Sequence, residues 1–393
     1  MMKTIDECFS LIQNGANIKQ GDVDGGFPIT RIETITNDKF SRDRMGYAGI
    51  TDISKYTSYL LEDGDLLMSH INSVQYLGRT VLYVKQSDET IIHGMNLLRL
   101  KARRDVINPA YAKYCFYGHP FRSQIRKITK KSVNQASFAV KDLKQIKLNI
   151  PALSEQNEIV MILDKIQQVL AHRIDELSKL DDLIKARFVE MFGNPLDGTA
   201  KYPIHQVGNV AEAVDPQPSH RTPPVQEGGV PYISIKDCDY KTGKIDFEGA
   251  RKVARKVLEE HLNRYTLHAG DFVIGKIGTI GNPVFIPARD DYTLSANVVL
   301  VQPNCEVVSP YFLKYSFESD FVERQFSEAK NSTSQAAFGI QKVRNVKVMN
   351  PDLDTQRAFE KFVKQVNKSK VKVQKALDET QKLFDSLMQQ YFG

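Results

Sequence analysis

The chain lacks most of the features that would mark it as secreted, membrane-spanning or catalytic. Its four cysteines, Cys8, Cys115, Cys238 and Cys305, are scattered and form no C-x-x-C pair. That argues against a disulfide framework or a cysteine zinc site and points to a reduced, cytoplasmic setting. No apolar run approaches the ~18 residues of a membrane span. The N-terminal MMKTIDECFS lacks the long apolar core of a signal peptide. There is no metal-binding His pair, no nucleophile elbow and no Asn-Pro-Pro-aromatic motif of an amino-methyltransferase. Carboxylates are plentiful, but no spacing groups them into a site. GDFVIGKI at Gly270 begins like a phosphate-cradling loop, yet Ile277 stands where Ser or Thr should hold Mg²⁺. Asp271 to Ile274 also read as a strand, and Gly275, Gly278 and Gly281 are expected to make a tight turn near another backbone. With no catalytic constellation, no metal site and no cofactor site of its own, the chain reads as a binding subunit, not an enzyme.

What is present is an ordinary globular composition, 41% hydrophobic and 25% charged, over 393 residues. That length allows about two to three domains. The net charge of +6 is modest, but its distribution is uneven. From Lys101 to Ile150 there are twelve Lys or Arg against two acids, Asp105 and Asp142. Much of this lies in RSQIRKITKKS, which includes Arg126, Lys127, Lys130 and Lys131. A basic stripe of this kind is the electrostatic footprint of a polyanion partner.

The chain also repeats itself at an offset of two hundred residues. NIPALSEQNEIV begins at Asn149 and MNPDLDTQRAFE at Met349. The offset carries Pro151 onto Pro351, Gln156 onto Gln356, Leu177 onto Leu377 and Phe192 onto Phe392. It also carries Gln135, Ala136 and Phe138 onto Gln335, Ala336 and Phe338. A period this long marks a duplicated domain, since solenoid repeats run ~20–50 residues.

Both copies turn helical after the proline, with Ser154 and Asp354 as the expected N-caps. Alternating steps of four and three pick out Ile159, Leu163, Ile166, Leu170, Leu177, Leu180 and Ile184 in the first helix, interrupted by Arg173 and, further on, Arg187. In the second they pick out Phe359, Val363, Val366, Val373, Leu377, Phe384 and Leu387, interrupted by Lys370 and Thr380. Spacing of this kind held over four heptads is a coiled-coil seam, and the polar breaks can set its register. The other copy is the obvious partner, in an intramolecular antiparallel pair with pseudo-two-fold symmetry. Ser154 to Met191 would extend about 57 Å at ~1.5 Å per residue. One turn of B-DNA spans ~34–36 Å.

Four regions follow: residues 1–150, a helical region 151–195, residues 196–350 and a helical region 351–393. Gly193-Asn194-Pro195 ends the first helix. Each globular region has a turn (EDGDLLMS or HAGDFVIG), an apolar strand, further short strands, an aromatic helix (NPAYAKYCF or SPYFLKYSF), a polar loop and a final strand (KQIKLNIP or RNVKVMNP). The fold class is α+β. Loop residues able to read base edges are Ser69, His70, Asn72, Ser73, Arg79, Asn134 and Gln135 in the first region. In the second they are Lys276, Thr279, Asn282, Ser334 and Gln335. Asn and Gln suit adenine and Arg and Lys suit guanine, because each pairing is bidentate. The same residue types also satisfy backbone turns.

The order head–helix–head–helix, the IPALSEQNEIV segment, the GKIGTIG loop and the NQASF and SQAAF segments together resemble the specificity subunit of type I restriction–modification systems. The resemblance covers nearly the whole chain. It implies two target-recognition domains, each reading half of a bipartite site in double-stranded DNA, around a spacer set by the helices. It implies two methyltransferase subunits docked on the helical regions, which bind S-adenosylmethionine, and restriction subunits that use ATP and Mg. Inserting one heptad into both helices is then expected to lengthen the spacer. The two heads are much less alike than the helices, so the target does not transfer from a relative. The competing expectation is a coiled-coil scaffold with two protein-binding heads.

Overall fold

The computed structural model describes residues 1–21, 26–132, 135–240, 242–276, 281–331 and 339–393. The chain divides into two units, Met1–Ile174 with Lys375–Gly393, and Asp175–Gln374. Each therefore takes part of both long helices.

The first unit is built on strands β1 (Phe9–Asn14), β2 (Leu66–Ser69), β3 (Thr80–Leu82) and β4 (Leu97–Ala102). They form an antiparallel sheet in the order β1-β4-β2-β3. Gly64, at φ +88°, makes the turn into β2. Asp65 closes that turn by accepting the Glu62 N–H at 2.7 Å, and its buried carboxylate pairs with Arg99 Nε at 2.7 Å. Helices α1 (Pro109–Tyr117) and α2 (His119–Ile128) cover the sheet. Asn108 caps α1 by accepting the Ala110 N–H at 2.8 Å, and Pro109 at the first helical position costs no hydrogen bond. Sequence pattern alone placed a polar loop after α1. Instead RSQIRKI continues as α2, because Phe121 and Ile125, four apart, bury one face against the core. The long helix α3 (Leu153–Phe192) starts in this unit.

The second unit repeats the plan. Strands β5 (Ala211–Val214), β6 (Phe272–Gly275), β7 (Val284–Phe285) and β8 (Val298–Pro303) form an antiparallel sheet in the order β5-β8-β6-β7. Gly270, at φ +100°, and Asp271, which accepts the His268 N–H at 2.8 Å, rebuild the turn before the second strand. Helices α4 (Pro310–Phe317) and α5 (Asp320–Asn331) take the places of α1 and α2, and α6 (Leu353–Phe392) is the second long helix. In both units an outer two-stranded ribbon pairs the start of the region with its end: Met2–Thr4 with Lys147–Asn149, and Ile204–Gln206 with Lys347–Met349. The final strand expected from sequence is this ribbon's second strand.

Two glutamine devices recur with nearly the same distances. Gln156 is fully buried; its Oε1 accepts the Asn108 N–H at 2.9 Å and its Nε2 donates to the Pro151 and Val106 carbonyls. Gln356, also fully buried, accepts the Ser309 N–H at 2.7 Å and donates to the Pro351 and Val307 carbonyls. Each ties the start of a long helix to the start of the aromatic helix. Gln124 and Gln325 each clamp a strand backbone from both sides, at Lys147 and at Lys347.

The long helices begin at Leu153 and Leu353, two residues earlier than N-caps at Ser154 and Asp354 would place them. The capping position is thus Ala152 or Asp352, not Ser154 or Asp354. Asp352 accepts the Thr355 N–H at 2.8 Å, satisfying one of the orphan donors of the first turn. Gly193, at φ +78°, terminates α3.

Within each unit the beginning of one long helix runs antiparallel to the end of the other. In the second unit, Phe188 meets Phe359, Arg187 lies 5.7 Å over Phe362, and Lys370 Nζ lies 2.5 Å from Asp181. Contacts that ascend along one helix descend along the other. In the first unit Ile159 and Leu163 share a core with Phe384, Leu387 and Phe392. The seam residues Ile159, Leu163, Ile184, Phe359, Val363 and Val366 are buried. Ile166, Leu170, Leu177, Leu180, Val373, Leu377, Phe384 and Leu387 are half-buried. Three of the four polar breaks find partners, Lys370 on Asp181, Arg187 on Glu190 and Thr380 on the Ala376 carbonyl, whereas the buried Nε of Arg173 has none among the described residues. Phe188, Phe192, Phe312 and Phe359 form an aromatic knot with centroids 4.8–5.7 Å apart, a geometry worth about 0.5–1.5 kcal/mol per pair beyond area burial.

Candidate nucleic-acid interface

In the first unit the chain leaves β2 at Ser69 and returns to β3 at Thr80. Ser69 N–H donates to the Arg79 carbonyl and Gly78 N–H to the Ser69 carbonyl, both at 2.8 Å, which closes the neck of the loop. Gly78 takes a φ of +73° there, and a Cβ would press on Phe121 and Ile125. Beyond the neck, Ile71–Asn72 pairs with Ala136–Ser137, which pairs in turn with Lys130–Lys131. A three-stranded patch thus brings together loop residues and basic residues about sixty positions apart. Neighbouring strands lie ~4.8 Å apart, so Asn72 and Lys131 sit about 10 Å from one another.

Lys130, Lys131, Gln135 and Ser73 are exposed on this patch, and Arg126 and Lys127 are exposed on the last turn of α2. Ser132 donates to the Gln135 carbonyl through both its N–H and its hydroxyl, shaping the hairpin tip. Asn72 is half-buried and oriented at both ends: its Nδ2 donates to Ser69 Oγ at 3.3 Å and its Oδ1 accepts the Ser73 N–H at 2.7 Å. Arg79 pairs through Nε with Asp38 at 3.0 Å and stacks its guanidinium 4.6 Å from the Tyr76 ring centroid. Ser69 and His70 are buried and hold the loop from within. Burial pushes the His70 imidazole down to about 4, as it does for the nearby His93, so both rings are neutral at pH 7.

In the second unit Lys276 follows β6 where His70 follows β2. It is also buried, and its Nζ lies 2.7 Å from Asp215. The neighbouring loop is anchored by Gln217, whose carbonyl meets His261 Nε2 at 2.6 Å, while His261 Nδ1 meets Thr293 at 2.5 Å. Because the Gln217 amide nitrogen donates to Ser219 and to the Arg221 carbonyl, its oxygen faces the histidine, which assigns the proton to Nε2. Burial lowers the His261 pKa. Asn282 is half-buried beside Gly281, whose φ of +95° and contact with Phe326 leave no room for a Cβ. Gly278, Asn134, Thr279, Ser334 and Gln335 lie outside the described residues.

Sequence reasoning missed Asp38 and Tyr76, which position Arg79, and Asp215, which holds Lys276. The Asn37-Asp38 pair carries a local signal, since these residue types tolerate the left-handed conformation both adopt, at φ +57° and +58°. Among the described residues no helix is long and apolar enough to cross a membrane.

A family model described as type I restriction modification DNA specificity domain matches the chain twice, over residues 1–179 and 205–380. A putative type I restriction enzyme specificity subunit of Methanocaldococcus jannaschii (MjaX) is 29% identical over 211 residues, covering 54% of this chain and 49% of that protein. The EcoKI specificity subunit of Escherichia coli is 25% identical over 162 residues, covering 41% of this chain and 34% of that protein. The matches thus span half or less of these two curated relatives. Among solved structures, an S subunit of a type I restriction–modification system from M. genitalium aligns over 100% of this chain and 96% of its own, with TM-score 0.58 and 13% identity. A chain from a type I system studied for complex assembly and conformational transition aligns over 100% and 97%, with TM-score 0.57 and 15% identity. At these identities the structural likeness establishes the fold.

Proposed function

This chain belongs to the type I restriction modification DNA specificity family, and from that premise we propose that it is the DNA-recognition subunit of a type I complex. Each unit reads one half of a bipartite target in double-stranded DNA. The chain performs no chemistry itself. Methyltransferase subunits dock on its helices and hold S-adenosylmethionine, and restriction subunits supply ATP- and Mg-dependent cleavage. Any methylated base is flipped out of the stack by the partner enzyme.

The observation that carries this reading is a duplicated scaffold bearing unlike reading loops. Strand order, aspartate turns and glutamine clamps recur in both units. The sequence after the second strand does not: HINSVQYLGR, with Asn72 and Arg79, follows it in one unit, and KIGTIGN, opening on the Lys276 that pairs with Asp215, follows it in the other. A shared frame with separate loops fits two different half-sites. The exposed lysines of the first unit supply sequence-independent phosphate affinity, while the loop supplies base choice.

The test is to bind the chain, assembled with its methyltransferase partner, to a pool of random duplexes and sequence what is retained. The reading requires two separated sequence blocks. A single contiguous block, or no enrichment, would count against it.

A further inference from the structure

A cleft of about 230 Å³ opens in the first unit between the Ile32–Asp38 segment and the loop after β2, with Glu33, Asn37, Asn72, Tyr76 and Arg79 along its walls and Ser69 among its lining residues. Resting on the DNA-recognition reading, we propose that this cleft receives the major-groove edge of a G·C base pair. Arg79 takes the guanine, Glu33 the cytosine, Asn37 is a further specificity-determining residue, and Asp38 positions Arg79.

The guanidinium is prepared for a fork-shaped ligand. Asp38 engages Nε at 3.0 Å and the Tyr76 ring fixes the plane at 4.6 Å. Among the described residues Nη1 and Nη2 have no hydrogen-bond partner, and guanine O6 and N7 present two acceptors at matching spacing. Across the same base pair, cytosine N4 offers a donor, and an exposed carboxylate is the acceptor that suits it. Among the described residues the Glu33 carboxylate has no hydrogen-bond partner, nor does the Asn37 carboxamide. A carboxylate without a cation beside a basic patch is unfavourable for phosphate binding, but it discriminates between base edges.

Backbone conformation points the same way. Asn37 and Asp38 are consecutive left-handed residues, and each costs about 1 kcal/mol or more that glycine would avoid. At Asp38 the side chain holds Arg79. Among the described residues the Asn37 side chain holds nothing, so glycine there would be easier to fold. The carboxamide is present despite its conformational cost and lines the cleft.

The experiment uses the chain assembled with its methyltransferase partner and the random-duplex selection. Wild type, Glu33→Gln, Asp38→Asn and Asn37→Gly are compared, with thermal unfolding and the salt dependence of binding recorded for each. The expected result is a loss of roughly tenfold in preference at one position of one half-site for Glu33→Gln and for Asp38→Asn. The lost preference is for G·C, and the other half-site is unchanged. Salt dependence stays at the wild-type slope, and Asn37→Gly unfolds no earlier than wild type while relaxing one position of the same half-site. If all three variants keep the wild-type target, or lose selectivity at both half-sites together, the proposal is overturned. If wild type itself selects no split target, the DNA-recognition reading fails first, and the two failures are distinguishable.

Discussion

Replacing Gln356 by Met tests the claim that the two units share a built-in brace. Methionine nearly matches the volume, so packing is kept and only hydrogen bonding is lost. The side chain is fully buried and serves the Ser309 N–H at 2.7 Å, the Pro351 carbonyl at 2.8 Å and the Val307 carbonyl at 3.3 Å. An orphaned buried N–H costs about 1–3 kcal/mol, and an under-satisfied carbonyl costs less. The expected local destabilisation is therefore about 3 kcal/mol, or roughly two decades in an opening equilibrium. Native-state hydrogen exchange reads this at one atom. The Ser309 amide should exchange about a hundredfold faster in the variant, while the Asn108 amide, held by Gln156 at 2.9 Å, stays at its wild-type rate. Gln156→Met should reverse the pattern. A change below threefold at Ser309 would show that the brace is dispensable and that the repeated glutamines are packing residues.

Changing both Lys130 and Lys131, exposed on the patch edge, to Ala should weaken binding of the assembled complex to all duplexes; the log–log salt slope should fall by about one unit per lysine removed. An altered sequence preference at unchanged slope would contradict the phosphate role. His70 and His93 have folded pKa values near 4, below the ordinary 6.5; the unfolded chain therefore binds more protons between these values. Stability of the first unit should be full above about pH 6.5 and fall as pH drops toward 4, by about 2 kcal/mol per histidine at pH 5. Denaturant midpoints flat from pH 7 to 5 would refute this. Asp215→Ala leaves Lys276 buried and unpaired, so the second unit should lose about 3 kcal/mol, and adding Lys276→Met should recover most of it; equal stabilities for the single and double variants would refute the pairing.

The parts of the fold legible in the sequence are those written in local period and turn chemistry. The four-three spacing of α3 and α6 needs no tertiary information, and neither do the Gly-Asp turns at Gly64 and Gly270. The offset of two hundred also exposed the duplication, because the helices keep their residues while the heads do not. What escaped depends on partners distant in sequence. Gln124 and Gln325 look like ordinary polar helix residues until a strand lies against them at Lys147 and Lys347. Helix α2 was hidden because only Phe121 and Ile125 turn inward among cations. At the interface, residue type nominated Ser69, His70 and Lys276, but not their burial. Arg79 was found, whereas Asp38, which orients it, comes from a different segment of chain.

The most direct measurement is single-molecule sequencing of methylated bases in a host that expresses this chain with its methyltransferase partner. The account predicts a split motif, two short half-sites around a constant gap, that disappears when this chain is deleted. Methylation at an unsplit motif, or a pattern indifferent to the chain, would contradict it.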